Sequence, residues 1–192
     1  AHAMQGDGQK GVELCQRALD VSPDDFETAF ILACLGRARM AAGDFEGAVA
    51  ALEQAVSLAD QVRSIQFRAW FRTMLGNAYV LCKNLDRAVA VGNEALATSA
   101  DTSFVLGIGL SRQLLGKIAR SKGALADAKR SLDEALVHLT SAGAVFEIAC
   151  TKVELAEIAR ALGDEQRANA ELRQAQALFA QLKLPLHGER AP

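Results

Sequence analysis

The residues that could do chemistry are few and poorly spaced for it. Gly6-Asp7-Gly8-Gln9-Lys10-Gly11 spells the G-x-G-x-x-G of a dinucleotide-binding turn, and Asp24 and Asp25 stand near the distance expected for a ribose-binding acid. That turn needs a strand before it, so that backbone N–H groups face the pyrophosphate, and the five residues upstream leave no room for one. A turn that starts a helix is the reading that remains. Cys15, Cys34, Cys82 and Cys150 lack C-x-x-C spacing, and His2, His138 and His187 are isolated, so no zinc-binding set is expected. The thiols read as free cysteines packed in helices of a cytoplasmic protein. The carboxylate pairs Asp24-Asp25 and Asp133-Glu134 fall at helix starts or on solvated faces, where the helix dipole and solubility explain them. With no P-loop, no H-E-x-x-H and no Ser/His/Asp set, the expectation is a non-enzyme without catalytic residues, metal or cofactor.

Composition narrows the partners. Of 192 residues, 51% are apolar but only 5% aromatic, a mixture of Ala and Leu that favours closely packed helices. The net charge of −2, from 21 basic and 23 acidic residues, gives no basic excess for nucleic acid. No apolar run of about 18 residues exists to span a membrane. No signal peptide is visible, and Ala1-His2-Ala3-Met4 reads as a cloning remnant.

The elements that would position any site repeat along the chain. Leu35, Leu75, Leu115 and Leu155 step by 40 residues; so do Gly36, Gly76, Gly116 and Ala156, and so do Ala48, Ala88, Ala128 and Ala168. A period of this size marks stacked repeats. Each unit holds two amphipathic stripes with i, i+3, i+4, i+7 spacing, for example Ala69, Trp70, Leu75, Ala78 and Tyr79, then Leu85, Ala88, Val89, Val91, Ala95 and Leu96. Gly43-Asp44, Lys83-Asn84, Gly123-Ala124 and Gly163-Asp164 separate the stripes by turns short enough to force antiparallel pairs. Ser22-Pro23-Asp24-Asp25 reads as a helix start capped by Ser22, and Asp101-Thr102-Ser103 as another. The pattern predicts helices near 10–20, 24–42, 45–59, 64–82, 85–99, 102–122, 124–141, 144–162 and 165–182. Residues 1–5 are expected to lack structure and 6–183 to form one repeat domain: a half repeat over 6–21, then full repeats over 24–60, 64–100, 102–142 and 144–182, with a tail at 184–192.

These ladders resemble the tetratricopeptide repeat, W-x2-L-G-x2-Y followed by A-x3-F-x2-A. The second full repeat reads Arg72-x2-Leu75-Gly76-x2-Tyr79, then Ala88-x3-Gly92-x2-Ala95; the first has Leu32, Leu35, Gly36, Ala48, Leu52 and Ala55. The third has Leu115-Gly116, Ala128, Leu132 and Ala135; the fourth has Leu155-Ala156, Ala168, Leu172 and Ala175. The period is longer than the usual 34, which is similar to the repeats of bacterial signalling proteins such as LuxR-type regulators with an ATPase module. Arg72, Arg112 and Lys152 stand where the family has Trp. The resemblance implies an all-α, right-handed superhelical solenoid of antiparallel pairs, about nine helices in all, with first helices lining a concave surface.

Family geometry puts that surface at Ala33, Arg37 and Met40; Thr73, Asn77 and Val80; Gln113, Lys117 and Arg120; Val153, Glu157 and Arg160. Arg37, Thr73, Asn77, Gln113, Lys117, Arg120 and Arg160 are the expected partner-binding residues. Their basic excess suits an acidic peptide, and an amide at Asn77 can both donate to and accept from a peptide bond. Neither register of the chain reproduces the Lys/Asn, Asn, Lys/Arg set that clamps chaperone C-termini. The implied function is protein or peptide recognition within a larger bacterial signalling or transcriptional regulator in the cytoplasm. Small-molecule effector sensing and self-association into a homo-oligomer are the other classes to test. Arg72, Arg112 and Lys152 form a basic ladder that either attracts a partner or lays its stems on apolar surface.

Overall fold

The computed structural model describes residues 8–22, 24–61 and 65–184. Among them are nine helices and no strand: α1 (Gly8–Leu19), α2 (Asp25–Ala42), α3 (Phe45–Gln61), α4 (Ile65–Leu81), α5 (Leu85–Asp101), α6 (Val105–Ser121), α7 (Leu125–Ser141), α8 (Val145–Ala161) and α9 (Glu165–Gln181). The chain divides into two units, residues 1–102 and 103–192. In the first, α1 packs on α2, α2 on α3, α3 on α4 and α4 on α5, and the first helices α2 and α4 also touch. In the second, α6 packs on α7, α7 on α8 and α8 on α9, and α6 touches α8.

Small residues at fixed places let the paired helices approach. A Cβ built on Gly36 of α2 would lie 2.4 Å from Cγ of Leu52 in α3, and one on Gly116 of α6 would lie 2.7 Å from Cγ of Leu132 in α7. Leu52 and Leu132 are fully buried, as are Ala48 and Ala55 beside the one and Ala128 and Ala135 beside the other. Gly8 and Gly11 of the G-x-G-x-x-G string are likewise helical and buried. A Cβ on Gly8 would meet the Ala42 backbone nitrogen at 2.5 Å, so this glycine serves helix packing. The Gly6-Asp7 turn and residues 185–192 lie outside the described residues.

The turns repeat as strictly as the core. Gly43, Lys83, Gly123 and Gly163 are left-handed, with φ of 83°, 59°, 77° and 79°, and so are Ser103 and Gly143 in the turns between pairs and Lys183 after α9. At six of these positions the following residue bonds back five places, as in Asp44 N–H to Arg39 O (2.9 Å), Asn84 to Tyr79 (2.9 Å) and Asp164 to Ala159 (2.9 Å). Two expected helix starts move. Asp101-Thr102-Ser103 closes α5 instead of opening α6, because Ser103 at φ 52° takes the left-handed place that Gly143 holds one period later. The cap of α2 is Asp24, whose extended backbone lets its carboxylate accept from Glu27 N–H at 2.8 Å, while Ser22 Oγ bonds Thr28 Oγ1 at 2.8 Å. Leu184, expected in the tail, closes α9 through its N–H to Phe179 O at 3.0 Å.

Ion pairs tie the helices at the margins of the core. Arg72, 11% exposed, reaches Asp60 of α3 (Nη2 to Oδ2, 2.9 Å) and Glu94 of α5 (Nε to Oε2, 3.2 Å). Arg112 pairs with Glu134 (3.1 Å) and Lys152 with Glu171 (3.2 Å), each across its own helix pair. The basic ladder thus spans helix pairs where the usual Trp would fill space. Tyr79 of α4 is buried, its hydroxyl donating to Glu53 Oε1 at 2.6 Å, and Arg87 Nη1 donates to the same oxygen at 3.2 Å.

Two measurements check this packing. Gly36→Val is expected to cost unit 1 about 1–3 kcal/mol, because Leu52 has nowhere to move. Trp70, the chain's single tryptophan, reports it by fluorescence in denaturant; an unchanged midpoint would contradict the close approach. Tyr79 is the single tyrosine, and burial first, then the Glu53 hydrogen bond, holds its phenol above the ordinary 10.0. Its absorbance is expected to titrate above pH 10.0 in the folded chain and to fall back toward that value in Glu53→Gln. A phenol raised on folding stabilises the fold below the unfolded-state value, and that contribution is lost as pH climbs through the folded-state value.

Candidate functional site

In unit 1 the candidate face is carried by α2 and α4. Phe26, Phe30, Ala33 and Arg37 fall at i, i+4, i+7 and i+11 on one side of α2, and Trp70, Thr73 and Asn77 at i, i+3 and i+7 on one side of α4. Asn77 Nδ2 donates to Thr73 O at 2.8 Å, and Thr73 Oγ1 donates to Trp70 O at 2.7 Å. Thr73 is buried, so it fixes this stretch of α4, whereas Arg37 and Asn77 are half-buried. Ala33 is buried between Phe30 and Arg37.

The rings meet across the two helices. Phe26 packs edge-on against Phe67 at 5.3 Å, Phe30 against Phe67 at 6.0 Å and Phe30 against Trp70 at 6.1 Å, with Phe71 beneath, 5.6 Å from Phe67. Phe71 is core, but Phe26 and Phe30 keep 44% and 39% of their surface exposed. Helices with apolar residues on every side ordinarily sit wholly inside a protein; α2 and α4 have that composition and still present rings to solvent. The helical stripes read from the sequence include Trp70 but not Phe26, Phe30 or Phe71. The signal for Phe26 and Phe30 was the 40-residue step from Phe30 to Trp70 and the four-residue step from Phe26 to Phe30.

In unit 2 the expected residues are used differently. Gln113, 4% exposed, donates from Nε2 to Glu147 O (3.1 Å) and to Thr151 Oγ1 (2.8 Å), binding α6 to α8. Lys117 is half-buried on α6. Arg120 pairs with Glu154 at 2.9 Å, and Arg160 with Glu157 at 2.9 Å and Glu165 at 3.9 Å. Arg120 and Arg160 of this face therefore carry their own carboxylates. The pairing of Glu154 with Arg120 has no signal in the sequence, because 34 positions separate the two.

Reactive groups are held quiet. The four cysteines are free and half-buried. Burial pushes the Cys15, Cys34 and Cys82 thiols up, at Cys34 against the opposing pull of Arg37, so these three stay protonated at neutral pH. Among the described residues no helix is long and apolar enough to cross a membrane.

Comparison with known proteins agrees with this architecture. The tetratricopeptide repeat profile matches residues 34–61, the second half of α2 and all of α3. No curated protein matches the sequence. Among solved structures, the nearly identical TPR-like repeats of a Podosopora anserina putative kinesin light chain superpose with a TM-score of 0.60 at 21% identity, over 95% of this chain and 92% of that one. MamA superposes with a TM-score of 0.55 at 16% identity, over 95% and 94%. The apo form of RapI gives 0.63 at 12% identity, over 88% of this chain but only 47% of that one. The fold is that of tetratricopeptide-like repeats, stacked antiparallel helix pairs of which one, at residues 34–61, also carries the repeat's sequence signature.

Proposed function

We propose that this chain is a non-catalytic module that recognises a protein or peptide along its first helices, as a cytoplasmic segment of a larger bacterial signalling or transcriptional regulator. One observation carries the reading: α2 and α4 turn outward the side chains that binding surfaces favour, two exposed phenyl rings, a half-buried Trp and a half-buried Arg, beside Asn77. The tetratricopeptide-like fold supports it, since repeat stacks of this kind use one face of successive helices for partners. In unit 1 the binding residues are Arg37 and Asn77, with Thr73 holding α4 beneath them. In unit 2 they are Lys117, Arg120 and Arg160, with Gln113 fixing α6 against α8.

A small-molecule effector is the second reading, favoured by the aromatic ledge of Phe30 and Trp70, whose edge-to-face rings offer the apolar surface such a ligand needs. The two readings separate experimentally. Affinity capture from a bacterial lysate with wild type and Asn77→Ala is expected to recover a dominant protein that the variant retains about tenfold less, with helical content unchanged by circular dichroism. Equal recovery removes Asn77 from the site. A thermal shift from a metabolite panel, with no protein captured, would favour the effector.

A further inference from the structure

Among the described residues the half-buried arginines are Arg37, Arg39, Arg68, Arg72, Arg112 and Arg120. Five have a carboxylate within 4 Å: Asp44 for Arg39, Asp60 for Arg68 and Arg72, Glu134 for Arg112 and Glu154 for Arg120. Arg37 has none among the described residues. A cation partly withdrawn from water gains most from a counter-charge, and Arg37 stands on the same side of α2 as the exposed rings of Phe26 and Phe30. Seven residues of helix separate Phe30 from Arg37, about 10 Å along the axis. An extended or polyproline-like chain covers that distance in about three residues.

We propose that this strip of unit 1 is a two-point site for a peptide segment carrying an aliphatic or aromatic side chain and, about three positions away, an Asp or Glu. The apolar side chain lies on Phe26, Phe30 and Trp70, and the carboxylate pairs with Arg37. Two features of the strip select this occupant. The rings alone would accept any greasy surface; the unmatched guanidinium beside them demands an anion, and its planar fork suits a carboxylate. The site lies wholly on α2 and α4. The inference rests on the reading of the chain as a peptide-recognition module and names the chemistry that module selects.

The test is selection of a phage-displayed random dodecapeptide library on the full chain, on Arg37→Glu and on Arg37→Gln, each confirmed helical by circular dichroism. Wild type is expected to enrich peptides with an apolar residue about three places from an acid. Arg37→Glu should exchange that acid for Lys or Arg, and a synthetic copy of a wild-type winner should bind Arg37→Glu about tenfold more weakly. The surface-exposed Arg17→Glu is the control for general charge and should leave the selected motif unchanged. Should Arg37→Glu fold poorly, loss of the acid preference in Arg37→Gln serves. Enriched peptides with no acid preference, or a preference unmoved in both variants, would overturn this inference while leaving peptide recognition standing. Failure to enrich any peptide would overturn both. Sedimentation of the free chain as a dimer that Phe30→Asp dissolves would assign the ledge to a second copy and also overturn it.

Discussion

The whole architecture depends on how near two paired helices can come. Leu52 projects into the space that any side chain on Gly36 would occupy, and Leu132 does the same opposite Gly116. At that separation only Ala fits at the neighbouring contact positions, which is why Ala48, Ala55, Ala128 and Ala135 are wholly covered. The interior is close-packed, so volume excluded from it must go elsewhere. It goes to the margins of the helix pairs. There Arg72, Arg112 and Lys152 lay their stems and find carboxylates on the second helix, and there the rings of unit 1 gather around Phe67.

Because that packing problem recurs in each copy, most of the fold was legible. The helices were recoverable from the Leu, Gly and Ala ladders, and the turns from Gly43, Gly123 and Gly163. What escaped were places where a residue performs a role its type does not advertise. Ser103 and Lys183 take the left-handed conformation that costs a residue with a Cβ about 1–2 kcal/mol, and Asp101-Thr102-Ser103 therefore looked like a start instead of an end. Ser22 looked like a cap because hydroxyls cap well, yet two residues later Asp24 had the extended backbone that capping requires.

The candidate site was legible only in part, for a different reason. Periodicity places a residue on a face; it does not say what lies opposite. The excess of basic residues on the first helices was visible, but the carboxylates answering them lie 22, 34 or 19 positions away, as in Arg72 with Glu94, Arg120 with Glu154 and Lys152 with Glu171. Helix stacking sets those separations, and without it a paired cation and an unpaired one look alike. Gln113 shows the same limit: its place on the first helix put it among the expected partner-binding residues, and the structure turns its amide on Thr151 and the Glu147 carbonyl.

Scaffold and site therefore separate along one line. Positions that must solve the same packing problem in every copy carry the same small residues, so Ala stands at 48, 88, 128 and 168. Positions released from that problem need not agree, and they do not: the step that begins at Phe30 runs through Trp70 to Leu110 and Cys150, and the one that begins at Arg37 runs through Asn77 to Lys117 and Glu157. The residues that vary between copies coincide with the strip where rings stay exposed and where Arg37 has no carboxylate among the described residues. A repeat protein can change such positions one at a time without disturbing the helix spacing beneath them. Chemical selectivity is therefore to be sought where the period fails in residue type while holding in geometry.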